Sequence, residues 1–179
     1  MIPLPKIVGL CGTSGSRKTQ TCRKLIKELR SGDIACCGFI SPAVFGDSEK
    51  TAIKVQWLGS GEEQVLMTPV TKASQITFRR WQIFPQVFEW INQELTDMQE
   101  SEAFFCDEIG PLEVLEGKGW IKALEILDKR ECELNVVTFR PSLRDFFSQR
   151  YPDMTVYDLD IKNEDEKVIQ EIKEMFGIA

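Results

Sequence analysis

The run Gly12-Thr13-Ser14-Gly15-Ser16-Arg17-Lys18-Thr19 concentrates the residue types that handle phosphate. Glycines let a backbone curl so that successive N–H groups converge on an anion. A helix starting at the end of the curl adds its partial positive charge. Lys18 is placed to reach β- and γ-phosphate oxygens, and the Thr19 hydroxyl to ligate Mg²⁺. All eight residues, 12 to 19, are therefore candidate nucleotide-binding residues. The spacing is that of a Walker A phosphate loop with one departure, because Arg17 stands where the pattern has glycine.

Arg17 splits the expectation in two. The backbone before the lysine needs a freedom that a Cβ restricts, and a left-handed non-glycine costs about 1–2 kcal/mol. Either the loop keeps its shape, with the guanidinium outside it or on a phosphate, or it distorts and turnover is lost. Gln20, where a second small hydroxyl often follows, is a milder departure.

A second constellation lies at Ala103-Phe104-Phe105-Cys106-Asp107-Glu108. An apolar strand ending in an acid is how phosphate-loop enzymes hold a magnesium shell from the opposite side, the Walker B arrangement, so Asp107 joins Thr19 as a candidate metal residue. Glu108, next to it, is a candidate base that orients and deprotonates a water for in-line attack. The chain has no histidine, which excludes Ser-His-Asp and Cys-His catalysis and leaves carboxylates as the natural bases.

These residues need a scaffold that brings two strand ends together. Ile7 to Cys11 is a short apolar run, and Cys22, Leu25, Ile26 and Leu29 follow at helical spacing. A strand is expected over 34–40. From 43 to 67 the period changes to two, with Ile53, Val55 and Trp57 alternating with Lys54 and Gln56, which reads as a small antiparallel β-meander. Phe84 to Leu95 reads as a helix, Ala103 to Cys106 as a strand, Trp120 to Leu127 as a helix and Leu134 to Phe139 as a strand. A short helix over 142–147, a strand over 155–159 and a helix over 168–176 complete the pattern. Strands alternating with helices imply a three-layer α/β fold, a mostly parallel sheet covered on both faces and carrying a small antiparallel insertion. At 179 residues one domain over 1–179 is expected.

Composition narrows the function classes. The net charge of −6 disfavours a nucleic-acid-coating role, and the basic residues Arg23, Lys24, Lys27 and Arg30 read as a solvated helix face. Six cysteines without CxxC spacing read as small core hydrophobes. The start of the chain has no signal-peptide layout and no apolar run approaches spanning length, so a cytoplasmic location away from membranes is expected.

The run Asp107-Glu108-Ile109-Gly110-Pro111-Leu112-Glu113, with Gly117-Lys118-Gly119-Trp120 after it, resembles the small single-domain P-loop nucleoside-triphosphatase family first associated with thermophiles. Gly38-Phe39-Ile40 before the meander and Val136-Val137-Thr138-Phe139-Arg140 are similar to further parts of that family. The resemblance implies a RecA-like sheet and slow Mg²⁺-dependent hydrolysis of ATP, GTP and other nucleoside triphosphates to diphosphates. Carried over, Lys18 would bind phosphates, Thr19 and Asp107 would serve Mg²⁺, and Glu108 would activate water. Arg140 is open to two roles, charge stabilisation at the γ-phosphate or a salt bridge. Arg79-Arg80 reads as a solvated pair or as a cover over the nucleotide.

Two other functions compete with hydrolysis. A nucleotide-binding regulator descended from such enzymes is favoured by Arg17. A small-molecule kinase would pass the γ-phosphate to a metabolite. Base preference is not encoded in any motif, since the Asn-Lys-x-Asp pattern is absent.

Overall fold

The structure is a computed structural model describing residues 6–70, 77, 78 and 80–179. The first described strand is β1 (Lys6–Cys11), five of whose six residues are buried. That near-continuous apolar character is what a parallel strand covered on both faces requires. After the loop 12–17 comes α1 (Lys18–Ser31), which packs Cys22, Leu25, Ile26 and Leu29 inward. This is the i, i+3, i+4, i+7 stripe of an amphipathic helix.

The chain continues through β2 (Cys36–Ile40), β3 (Ala43–Phe45), β4 (Lys50–Trp57), β5 (Glu63–Pro69), β6 (Thr77–Phe78) and β7 (Trp81–Ile83). Next come α2 (Gln86–Thr96), β8 (Ala103–Cys106), α3 (Pro111–Glu116), α4 (Ile121–Lys129) and β9 (Leu134–Phe139). A 3-10 turn (Pro141–Leu143), α5 (Arg144–Arg150), β10 (Thr155–Asp158) and α6 (Glu164–Met175) complete it.

The strands form one sheet in the order β10-β1-β9-β8-β2-β4-β5-β7-β6, with β3 on β4. The first five run parallel, and every pairing from β2–β4 onward is antiparallel. The antiparallel part thus reaches beyond the expected 43–67 to Ile83, because β5 pairs with β7. The strand expected from residue 34 starts at Cys36, and α3 was not anticipated.

Alternation along the parallel strands divides the core. Ile7, Cys11, Phe104, Cys106, Val137 and Phe139 face one helical layer, where Phe39 and Phe88 both pack on Trp120. Val8, Leu10, Phe105 and Val136 face the other, against Leu25 and Leu29 of α1 and Val168 and Ile172 of α6. The period of two is that of any pleated strand. At Gly38 the two strands β2 and β8 come close: its φ is +97°, and a Cβ there would lie 2.0 Å from the Phe105 carbonyl oxygen.

Register then decides what meets at the carboxyl ends of the strands, where parallel sheets place ligands. Cys11 is level with Phe139 and with Asp158. Cys106 is level with Val137 and with Phe39. The residues just beyond, namely the loop after β1, Asp107 after β8, Thr138 in β9 and Ser41 after β2, therefore share one edge of the sheet.

Candidate active site

The loop after β1 is curled, with the Ser16 N–H donating to the Thr13 carbonyl at 3.2 Å. Gly15 sits at φ +87° and Arg17 at φ 67°, ψ 21°, the left-handed region. Arg17 is the N-cap of α1, and its carbonyl accepts from the Thr21 N–H at 2.9 Å, so the helix starts from the loop without a break. The loop has kept its shape at the strained residue. The Arg17 guanidinium points outward, 3.9 Å from Asp165 Oδ1 on α6.

Lys18 lies almost fully buried beneath the loop. Its Nζ donates to the carbonyls of Gly12 and Thr13, both at 2.8 Å, and to Ser16 Oγ at 3.4 Å. The ammonium is thereby fixed inside the curl. Thr19 is half-buried in the first turn of α1.

Across β9 from the loop, Asp107 is completely buried. The Thr138 hydroxyl donates to its Oδ1 at 2.6 Å, and the Ser41 N–H to its Oδ2 at 3.0 Å. The Ser41 hydroxyl donates to the Asp107 carbonyl. Two bonds use half of the four lone-pair positions of an ionised carboxylate, so capacity for a further donor or cation is left.

Glu108 is half-exposed beside it and accepts from Arg140 Nε at 2.9 Å. Arg140 follows the last residue of β9, so both groups extend from adjacent strand ends. Arg140 thus forms a salt bridge, and its partner is the candidate base itself.

Glu113, in the same run, has a different task. Its Oε2 accepts from the Gly110 N–H at 2.8 Å and its Oε1 from the buried Trp120 N–H at 3.1 Å. It caps α3 and staples the segment after Glu108 to the core. Gly119 makes room for it, since a Cβ there would lie 2.1 Å from Oε1, at a φ of +71°. Burial raises the Glu113 carboxyl above its ordinary pKa, against hydrogen bonds from Trp120 and Gly110 that lower it.

The cysteines near the site are free and buried. Burial pushes the Cys11, Cys22 and Cys106 thiols upward, which fits the core role expected of them.

With this arrangement in view, the family model described as NTPase matches residues 7–173. The chain belongs to this NTPase family. Comparison with curated proteins returns no match. Among solved structures, the crystal structure of THEP1 from the hyperthermophile Aquifex aeolicus is similar, with a TM-score of 0.68 at 15% identity. The similarity covers 95% of this chain and 98% of that one. The solution structure of a human cancer-related nucleoside triphosphatase has a TM-score of 0.71 at 17% identity, covering 95% and 96%. At such identities the likeness is one of fold, the three-layer P-loop sheet with its antiparallel extension.

Residues 12–19 and the pair Asp107-Glu108 lie on the same edge of that sheet, with Arg140 bound to Glu108. Arg80 is exposed on the antiparallel extension, and Arg79 lies outside the described residues. Sequence reading missed Thr138 and Ser41 as partners of Asp107. It also missed Asp160, which accepts from the Thr13 N–H at 2.9 Å and the Thr13 hydroxyl at 2.8 Å. Thr138 carried one usable signal, a hydroxyl near the carboxyl end of the strand Leu134–Phe139, whose only other polar residue is Asn135 near its start.

Proposed function

We propose that this NTPase-family chain hydrolyses nucleoside 5'-triphosphates such as ATP and GTP to diphosphate and phosphate, with Mg²⁺. The observation that carries the reading is register: β1, β9 and β8 deliver the Lys18 loop and Asp107-Glu108 to one edge, inside the span the family model matches. The curled loop and the N-terminus of α1 offer N–H groups and a positive dipole end to the phosphates. Lys18, held centrally by loop carbonyls, exchanges those contacts for β- and γ-oxygens. Its charge then opposes what builds on the leaving diphosphate.

Thr19 and Asp107 fit the hard oxygen donors that Mg²⁺ prefers, one or two from protein with the rest from phosphates and water. The Thr19 hydroxyl has no hydrogen-bond partner among the described residues, and Asp107 retains free lone pairs. When bound, Mg²⁺ neutralises charge on the β- and γ-phosphates. Glu108 orients the attacking water and takes its proton, and Arg140 fixes the Glu108 carboxylate in place. The product is a diphosphate and a free phosphate.

The test is Mg²⁺-dependent phosphate release from ATP, GTP, CTP and UTP, with Lys18→Ala and Glu108→Gln beside the native protein. Release that collapses in both variants supports the reading. A folded native protein releasing no more than the variants would overturn it.

A further inference from the structure

Both ends of the phosphate loop are tied to one short segment, the connection from β10 into α6. At the start of the loop, Asp160 takes two hydrogen bonds from Thr13, one from the backbone N–H and one from the hydroxyl. At its end, the Arg17 guanidinium lies 3.9 Å from Asp165 Oδ1, while Lys24 Nζ lies 3.7 Å from Oδ2 of the same carboxylate. Asp165 is nearly buried in the first turn of α6.

The segment is itself anchored. Leu159 N–H donates to the Cys11 carbonyl at 2.8 Å, so the first residue of the connection is tied to the last residue of β1. Asp158 then shapes the turn: its Oδ1 accepts from the Asp160 N–H at 3.1 Å and its carbonyl from the Ile161 N–H at 3.0 Å. Its other carboxylate oxygen accepts from Arg144 Nη2 on α5 at 2.9 Å. A continuous set of contacts therefore runs from α5 through Asp158 and Asp160 to Thr13. The hydrogen bonds from Thr13 hold the Asp160 carboxyl below its usual range, as expected of an ionised acceptor.

Arg17 gives these contacts a purpose. A glycine before Lys18 would adopt the left-handed conformation without steric cost, whereas Arg17 holds it under strain. We propose that Asp160 and Asp165 are positioning residues that keep the phosphate loop curled despite the strained Arg17, so that the β10–α6 connection does from outside what a glycine does within. Their service to a nucleotide rests on the function proposed above, and their hold on the loop does not. Asp160 carries the larger share, since a two-point bond to a carboxylate is short and charge-assisted. The Arg17–Asp165 pair is longer and half-exposed, and such pairs contribute less.

Amide-resolved hydrogen exchange over residues 12–18 of the ligand-free full chain reads the loop directly, and calorimetric titration with Mg·ATP reads its use. In Asp160→Ala, exchange at Thr13 should speed up about tenfold or more, the loss expected for one charge-assisted hydrogen bond. The thermal midpoint should stay close to native, and the Kd for Mg·ATP should rise several-fold. Asp160→Asn, whose amide oxygen can still accept, should recover part of both effects. Asp165→Asn should loosen the end of the loop less, and in an Arg17→Gly background it should have no further effect on exchange. Unchanged exchange in Asp160→Ala, or an equal effect of Asp165→Asn with and without Arg17, would overturn the proposal. If the native chain bound no Mg·ATP while exchange responded as described, the positioning role would stand and the nucleotide reading would fall.

Discussion

Thr138 donates its hydroxyl to Asp107 Oδ1 at 2.6 Å, across the gap between two neighbouring parallel strands. β9 lies between the strand that leads into the phosphate loop and the strand that ends in Asp107. A hydroxyl on that middle strand is thus the most direct means of fixing the acid relative to the loop. With the Ser41 N–H on the other oxygen, the carboxylate plane is set from both sides.

Replacing Thr138 by valine keeps the shape and removes the donor. Asp107 would then be a buried carboxylate short of one partner, a loss of about 1.5–3 kcal/mol for a bond to a charged group. On the function proposed above, phosphate release should fall by about 10–100-fold, the usual cost of removing a group that orients a metal ligand. Thr138→Ser should restore most of both. Native rates in Thr138→Val would show that Asp107 orientation is not limiting.

Arg17 should be worse than glycine and better than a β-branched residue at its own position. At φ 67° the left-handed penalty is about 1–2 kcal/mol, partly offset in a glycine variant by the greater freedom of its unfolded chain. Equilibrium urea unfolding should therefore rank Arg17→Gly above native by about 1 kcal/mol, and native above Arg17→Val. A native protein more stable than Arg17→Gly would mean that the arginine contacts outweigh the strain.

Gly38 presents a stricter case. A Cβ 2.0 Å from the Phe105 carbonyl oxygen meets backbone of a central strand, which has no side-chain rotamer through which to yield. Overpacking and left-handed strain together should cost Gly38→Ala about 3 kcal/mol or more. Because β2 carries Ser41 at its end, the variant should also lose phosphate release before it unfolds. The same denaturation series with Gly61→Ala is the control: its Cβ would meet nothing within 4 Å, although its φ is also positive.

Much of this was legible where the signal is local. β1, the loop and α1 form one uninterrupted pattern of apolar run, glycines and helical stripe, and each part lies within about ten residues of the next. The acid pair was legible for the same reason, as the polar exit of the apolar strand Ala103–Cys106. Asp160 and Ser41 were not, because their partners lie 147 and 66 residues away and depend on strand order. α3 was missed because six residues are too few to show a period. Pro111 at its start and Glu113 at its third position are the cap signature that could have found it. The antiparallel extension was cut short at 67 because β6 and β7 are only two and three residues long, below the length at which alternation can be read.

Glu113 gives the fold a pH dependence whose sign follows from burial. Its carboxyl is raised above the ordinary 4.5 in the folded chain, chiefly by desolvation. Between the unfolded value and that raised value the folded state holds the proton that the unfolded state has released. Stability then falls as pH rises, since the unfolded chain binds fewer protons than the folded one. The contribution is fully present below the unfolded value and is lost once pH passes the folded one. Glu113→Gln has no proton to release, so the native-minus-variant stability, followed by urea denaturation upward from about pH 4, should decline with pH and then level. At neutral pH the native residue still accepts both N–H groups, whereas glutamine has a single carbonyl oxygen to offer them. The plateau should therefore lie above the value expected from desolvation alone. A difference that rises with pH over this window would show that the two hydrogen bonds outweigh burial and that the carboxylate is stabilised in the fold.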